Sequence, residues 1–197
     1  MPDRLADTSV PIHPPIAARW SPRAFDAAAD VPEEDVIALL EAARWAPTWG
    51  ARQPVRFLVG HRGDDTFETL SGLLRRGNSY ARAASALILL CADEGEDDRT
   101  KLYSAVDAGS ALANMLIEAV SRGLIAHPMA GFDVPGAAAA FGLPATLHPI
   151  VTVAVGRLGD YADISPEIAE RDARPRERLP LSDVVLTGPG SNPRPGT

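Results

Sequence analysis

A single domain mixing helices with strands is the fold class that the sequence predicts, and three observations carry it. The chain has 197 residues, enough to bury one sizeable core. Hydrophobic residues make up 46% and charged residues 23%, which excludes both wholesale disorder and a membrane bundle. Apolar residues also recur with helical spacing in some segments and in compact strand-like runs in others, interspersed from end to end. The domain is expected over residues 1–185, followed by a flexible Pro/Gly-rich tail over 186–197.

Pro11, Pro14, Pro15 and Pro22 keep the first thirty residues irregular, with room for one short turn over 16–19. Pro32 at a first helical position, Glu33 and Glu34 in the first turn, and Val36, Ile37, Leu40, Ala43 and Trp45 predict a helix over 32–46, ended by Pro47. Val55, Phe57 and Val59 alternate as in a half-buried strand over 55–60. Phe67, Leu70, Leu73 and Leu74 mark a second helix, which Gly77-Asn78 is expected to terminate. Residues 86–92 read as a buried strand. The longest helix, over 101–122, carries Val106, Ala108, Ala111, Met115, Leu116 and Val120, with Asp107, Asn114 and Glu118 on one narrow polar stripe. Most of its circumference is apolar, so it is expected deep in the core or in a subunit interface. A short strand over 124–127, a short helix over 134–141 and a buried strand over 150–155 follow. The last forty residues hold many prolines and arginines and cannot build a core of their own. They are expected to pack along another surface, with order ending near Val185.

Nineteen Lys+Arg against 26 Asp+Glu give a formal charge of −7, which opposes non-specific binding to nucleic acid or anionic lipid. Any anion site must therefore be local. Cys91 is the one cysteine, inside the run 86–92, so no intramolecular disulfide can form and a buried core thiol is expected. The charged start of the chain reads as neither secretory signal nor transit peptide, and no apolar run approaches the roughly 20 residues of a spanning helix. A soluble, cytoplasmic protein is the expectation.

Four segments could carry chemistry. In Arg19-Trp20-Ser21-Pro22-Arg23, Pro22 favours an extended chain, which places two guanidiniums either side of one hydroxyl on one face. Guanidiniums offer paired N–H donors to phosphate oxygens, so this is a possible phosphate clamp; two solvated arginines beside a turn would look the same. Arg174, Arg176 and Arg178, held extended between Pro175 and Pro180, repeat the geometry near the other end. The loop Ala46-Pro47-Thr48-Trp49-Gly50-Ala51-Arg52-Gln53-Pro54 combines a planar surface at Trp49 with donors that could surround a flat heteroaromatic ring. Finally Pro128-Met129-Ala130-Gly131-Phe132-Asp133 ends a strand in a turn whose backbone N–H groups can face a ligand. No Gly-x-Ser-x-Gly elbow occurs, and His13, His61, His127 and His148 show no metal spacing; only His127, next to the 128–133 turn, stands near a candidate site.

These segments, in this order, resemble the FMN-dependent nitroreductase family from about Arg19 to Val185. The family's Arg-x-Ser-x-Arg/Lys element on the FMN phosphate is matched by Arg19, Ser21 and Arg23, with Trp20 between them. Its Ala-Pro-Ser-x-x-Asn-x-Gln-Pro-Trp loop is matched at Ala46, Pro47, Thr48, Gln53 and Pro54, with Trp49 and Ala51 inside the same loop. Ala51 stands where the family has asparagine, Thr48 where it has serine, and Val55 where it has tryptophan. Gly77-Asn78 matches a central Gly-Asn pair, which implies Asn78 near the flavin. The turn built by Pro128, Met129, Ala130 and Gly131, continued by Phe132 and Asp133, matches a Gly-Phe-Asp turn whose N–H groups face flavin N5. Arg176 and Arg178 before Leu179-Pro180 would complete the phosphate site.

The resemblance implies an α+β fold, a central, mostly antiparallel sheet wrapped by helices, and a domain-sharing homodimer with FMN at the interface. It implies an oxidoreductase that moves electrons from NAD(P)H through the flavin to a nitroaromatic, quinone or similar small acceptor. No side chain is required as catalytic acid, base or nucleophile, because the flavin carries the chemistry. Two alternatives stay open: a specialised flavoprotein dehydrogenase or dehalogenase of the same fold, and a non-catalytic protein that sequesters flavin.

Overall fold

The computed structural model describes residues 4–191, and its architecture follows from one strand buried on both faces. Four strands, β1 (Val55–His61), β2 (Ala86–Asp93), β3 (Ile125–Met129) and β4 (Leu147–Gly156), form a sheet in the order β1-β2-β4-β3 with every neighbouring pair antiparallel. In β2, Ala86, Ile88, Leu90 and Ala92 point into one core layer, and Leu87, Leu89 and Cys91 into the other. This explains why β2 reads as an unbroken apolar run instead of an alternating one.

The first layer is roofed by α2 (Glu33–Arg44) and α4 (Asp98–Ser121), which supply Val36, Leu39, Ala108, Ala111 and Met115. The second lies under α3 (Asp65–Leu73) and α5 (Val134–Ala140), with Phe25, Phe67, Leu70 and Phe132 filling it. A short α1 (Pro14–Ala18) precedes these elements, and α6 (Pro166–Ala173) and α7 (Leu181–Val184) follow them. Helix starts are set by side chains: Asp64 accepts from the Phe67 N–H, Asp97 from Arg99 and Thr100, and Asp133 from Gly136.

The structure corrects one expectation and adds to others. Gly77-Asn78 does not end the second helix: Leu74 already leaves it, extended and bridged to Phe132, and residues Arg76–Ala83 then form a 3-10 helix that contains both residues. The stripe of α4 that carries Asp107 and Asn114 faces inward. Asp107 is buried and accepts from the Trp49 N–H, and Asn114 donates to the Ala42 carbonyl, so these polar groups tie α4 to α2 and the loop behind it. Outward, α4 shows Leu102 at 60% and Val106 at 54% exposure. The last forty residues are more regular than expected, because Ser165 caps α6 with Pro166 in its first turn. Of the expected tail 186–197, residues 186–191 form bends and turns, and 192–197 lie outside the described residues.

Gly60 in β1 is required by proximity. A Cβ there would lie 2.3 Å from the Phe67 backbone nitrogen, at the start of α3. Gly60→Ala is therefore expected to cost about 2 kcal/mol or more through forced separation of β1 and α3, read as a lowered midpoint in urea.

Candidate functional site

The two arginine clusters, more than 150 residues apart in sequence, meet in one open cavity of about 370 Å³. Arg19, Trp20, Ser21 and Arg23 line one side, and Arg176 and Arg178 the other. The Arg19 guanidinium lies 3.4 Å from Ser21 Oγ, so the predicted grouping of cation and hydroxyl exists. Burial, then the charge of Arg178, lowers the pKa of Arg19; Arg176 is lowered by burial and by Arg19, Arg178 and Arg4. Among the described residues none of Arg4, Arg19, Arg176 and Arg178 forms a salt bridge. Like charges packed with no carboxylate paired to them repel one another, and an anion in the cavity offsets that cost.

The guanidiniums in this cavity are not equally free. Arg176 donates to the carbonyls of Arg4, Ala17 and Arg19, which fastens the N-terminal segment to the C-terminal one. Arg23 donates through its side chain to Asp172 at 3.0 Å and through its backbone N–H at 2.7 Å. Asp172 is 1% exposed and accepts also from the Ala24 N–H and the Tyr161 hydroxyl. Four donors on one buried carboxylate satisfy it and hold the chain at residues 23–24. Among the described residues Arg178 donates only to the neighbouring Glu177 carbonyl, and it is exposed at the cavity mouth.

The turn after β3 is fastened from the same side. His127 is buried and its Nδ1–H donates to the Pro22 carbonyl at 2.9 Å, joining the clamp segment to the strand that leads to the turn. Burial lowers the pKa of His127, and it pushes the neighbouring Tyr80 hydroxyl up to about 12. Asn78 donates to the Gly131 carbonyl at 2.9 Å, and a Cβ on Gly131 would meet that amide at 2.6 Å. The Arg75 N–H donates to the same carbonyl, whereas the Gly131 N–H has no hydrogen-bond partner among the described residues. Met129 points into the core, so only its backbone belongs to the turn surface, while Pro128 is partly exposed and Ala130 fully so.

The loop 46–54 is not brought to the arginine cavity within one chain. Thr48 and Gln53 line a separate, mostly apolar cavity of about 310 Å³, with Leu40, Val55 and Phe57, and Asp107 on its wall. Trp49 stacks on Tyr103 at 4.8 Å, while Pro47 and Ala51 are exposed. Three residues important to the arginine cavity escape sequence reasoning. Asp172 and Tyr161 sit in no motif, and Arg4 lies in the irregular start; the buried role of Asp172 depends on donors 148 and 149 positions away.

Two outcomes are expected. Asp172→Ala, which strands the Arg23 guanidinium at 25% exposure, should cost about 3 kcal/mol, the low end for breaking a buried pair; chemical denaturation measures it. His127 should make stability pH-dependent: its folded pKa lies below its unfolded value near 6.5, so the unfolded chain binds more protons. Stability therefore falls as pH drops through 6.5 and levels off below the folded pKa. His127→Asn should lose that component when melting is compared between pH 7 and 5.

A family model described as "Nitroreductase family" matches residues 16–94 and 67–157. A Mycolicibacterium smegmatis protein described as an uncharacterized 15.4 kDa protein is 63% identical over 147 residues, 71% of this chain and 99% of its own length. A Streptomyces coelicolor protein described as a putative NADH dehydrogenase/NAD(P)H nitroreductase is 25% identical over 151 residues, 65% of this chain and 75% of its own. A crystal structure described as an oxidoreductase containing FMN superposes with a TM-score of 0.84 at 30% identity, covering 92% of this chain and 94% of that one. With its antiparallel sheet, its helices on both faces and these matches, the chain belongs to the nitroreductase family.

Proposed function

We propose that this protein is an FMN-dependent oxidoreductase that takes electrons from NAD(P)H and passes them to a nitroaromatic, a quinone or a similar small acceptor. The observation that carries this reading is the cavity where Arg19, Ser21 and Arg178 converge with no carboxylate among the described residues paired to either arginine. The residues present fit the phosphate end of FMN: the Nε of Arg4, in the same cavity, is buried without an acceptor among the described residues, a deficit that an incoming anion relieves. The FMN named in the description of the similar crystal structure supports the cofactor, and the name of the Streptomyces relative supports the nicotinamide donor.

FMN when bound supplies hydride and electron transfer. The chain's own contribution is binding and orientation. Arg19, Ser21 and Arg178 offer donors to the phosphate, while Asp172 and Arg176 hold the two segments that present them. Asn78 fixes the Gly131 carbonyl, which leaves the Gly131 N–H available to a ring acceptor. The working unit in this reading is a homodimer. Leu102 and Val106 on α4 are the apolar groups a second copy would cover, and the loop with Pro47, Thr48, Trp49, Ala51 and Gln53 would reach the partner's flavin. No helix among the described residues is long and apolar enough to cross a membrane, and the single reduced cysteine suits the cytoplasm we propose as its location.

The test is steady-state oxidation of NADH and NADPH with a quinone acceptor by FMN-loaded protein, beside the double variant Arg19→Ala/Arg178→Ala. Flavin-dependent turnover in the wild type and loss of flavin on gel filtration of the double variant are expected, since each charged hydrogen bond contributes roughly 1.5–3 kcal/mol. A yellow but inert wild type would favour a sequestering role, and unchanged flavin retention in the double variant would contradict the phosphate assignment.

A further inference from the structure

We infer that Arg4, on the N-terminal arm, is a further ligand of the cofactor phosphate, acting with Arg19 and Arg178. The inference rests on reading the arginine cavity as the FMN phosphate site. Two of the arginines that the family resemblance assigns to the phosphate are committed elsewhere. Arg176 spends both terminal nitrogens on backbone carbonyls, and the charge of Arg23 is neutralised by its ion pair with the Asp172 carboxylate, whereas Arg4 meets only a neutral carbonyl. A phosphate monoester near neutral pH carries close to two charges and three oxygens that accept strongly. Arg19 and Arg178 alone leave part of that capacity unmet.

Arg4 is placed to meet it. Its guanidinium lies over the Trp20 ring, 4.2 Å from the centroid, and it lines the same cavity as Arg19 and Ser21. One terminal nitrogen donates to the Arg174 carbonyl at 2.9 Å, while Nε is buried with no acceptor. The arm is not loose at this point. Arg176 donates to the Arg4 carbonyl, and the Ala6 N–H donates to the Ala17 carbonyl at 2.9 Å. The arginine that is least available to the anion thus fixes the backbone that delivers a replacement. The stacking on Trp20 restrains the Arg4 fork, so little rotamer freedom is lost when an oxygen arrives.

Riboflavin has the same ring as FMN and no phosphate, so the pair isolates the phosphate contribution. Dissociation constants for both, measured by quenching of flavin fluorescence on flavin-free protein, should show wild type preferring FMN. Arg4→Ala should weaken FMN at least about tenfold, the loss expected for one charge-assisted hydrogen bond, and leave riboflavin unchanged. Arg4→Lys should recover part of the FMN affinity by restoring the charge. FMN affinity within about twofold of wild type in Arg4→Ala would overturn the inference. Equal losses for FMN and riboflavin would overturn it too, because they would show that Arg4 merely packs the arm on Trp20. Arg4→Gln, which keeps the stem over Trp20, decides the matter if the alanine variant does not fold. Wild-type protein that binds both flavins alike would instead fail the underlying phosphate reading, before any variant is compared.

Discussion

Asp172 is a buried carboxylate that must be satisfied, and the geometry of the arginine cavity depends on how that is done. An unpaired carboxylate in a dry site is costly enough that it would take up a proton or open the structure. Here two backbone N–H groups, a guanidinium and a phenol all point at it, and three of these donors come from residues 23 and 24 at the far end of the sequence. Helix α6 is thereby fixed against the N-terminal segment. Arg176 repeats the fastening a few residues later by donating to carbonyls of the same segment. These two attachments offset the repulsion of the cations they bring together, which would otherwise splay the two segments apart.

The sheet supplies the rigid floor for this arrangement. Strand β2, buried on both faces, separates two core layers, and β4 pairs along its whole length. Strand β3, at the far edge, carries His127 and ends at the turn containing Gly131. Because the His127 ring donates to Pro22, a buried imidazole ties the strand that leads to the turn to the segment 19–23. A ligand that spans both places then meets groups whose separation is already set, which is the preorganisation that tight cofactor binding needs.

Much of this was legible in the sequence, for identifiable reasons. Strand β2 shows as an apolar run because both its faces are covered, and α2 because Pro32 and two glutamates mark its start. The arginine clusters stand out because prolines hold them extended, so alternation puts the cations on shared faces. Local signals could not reveal which cations remain free. Arg23 and Arg176 look identical to Arg19 and Arg178 until their partners are known, and those partners are over 140 residues away. The direction of the polar stripe on α4 was not legible for a related reason: Asp107 and Asn114 serve backbone groups of the loop and helix beside them, so polarity there marks burial with a partner. Helix α6 did carry a signal, Ser165-Pro166-Glu167, which the surrounding prolines obscured.

In the proposed function an arginine cluster built from residues near both ends of the chain holds the phosphate of FMN. Phosphorus NMR of FMN bound to the protein tests it most directly, followed from pH 5 to 8 across the ordinary second pKa of a phosphate monoester, about 6. A phosphate held by guanidiniums stays a dianion, so its resonance should be displaced from that of free FMN and should not move over this range. A bound flavin whose phosphorus resonance titrates as it does in free FMN would show the phosphate in solvent, and would contradict the account.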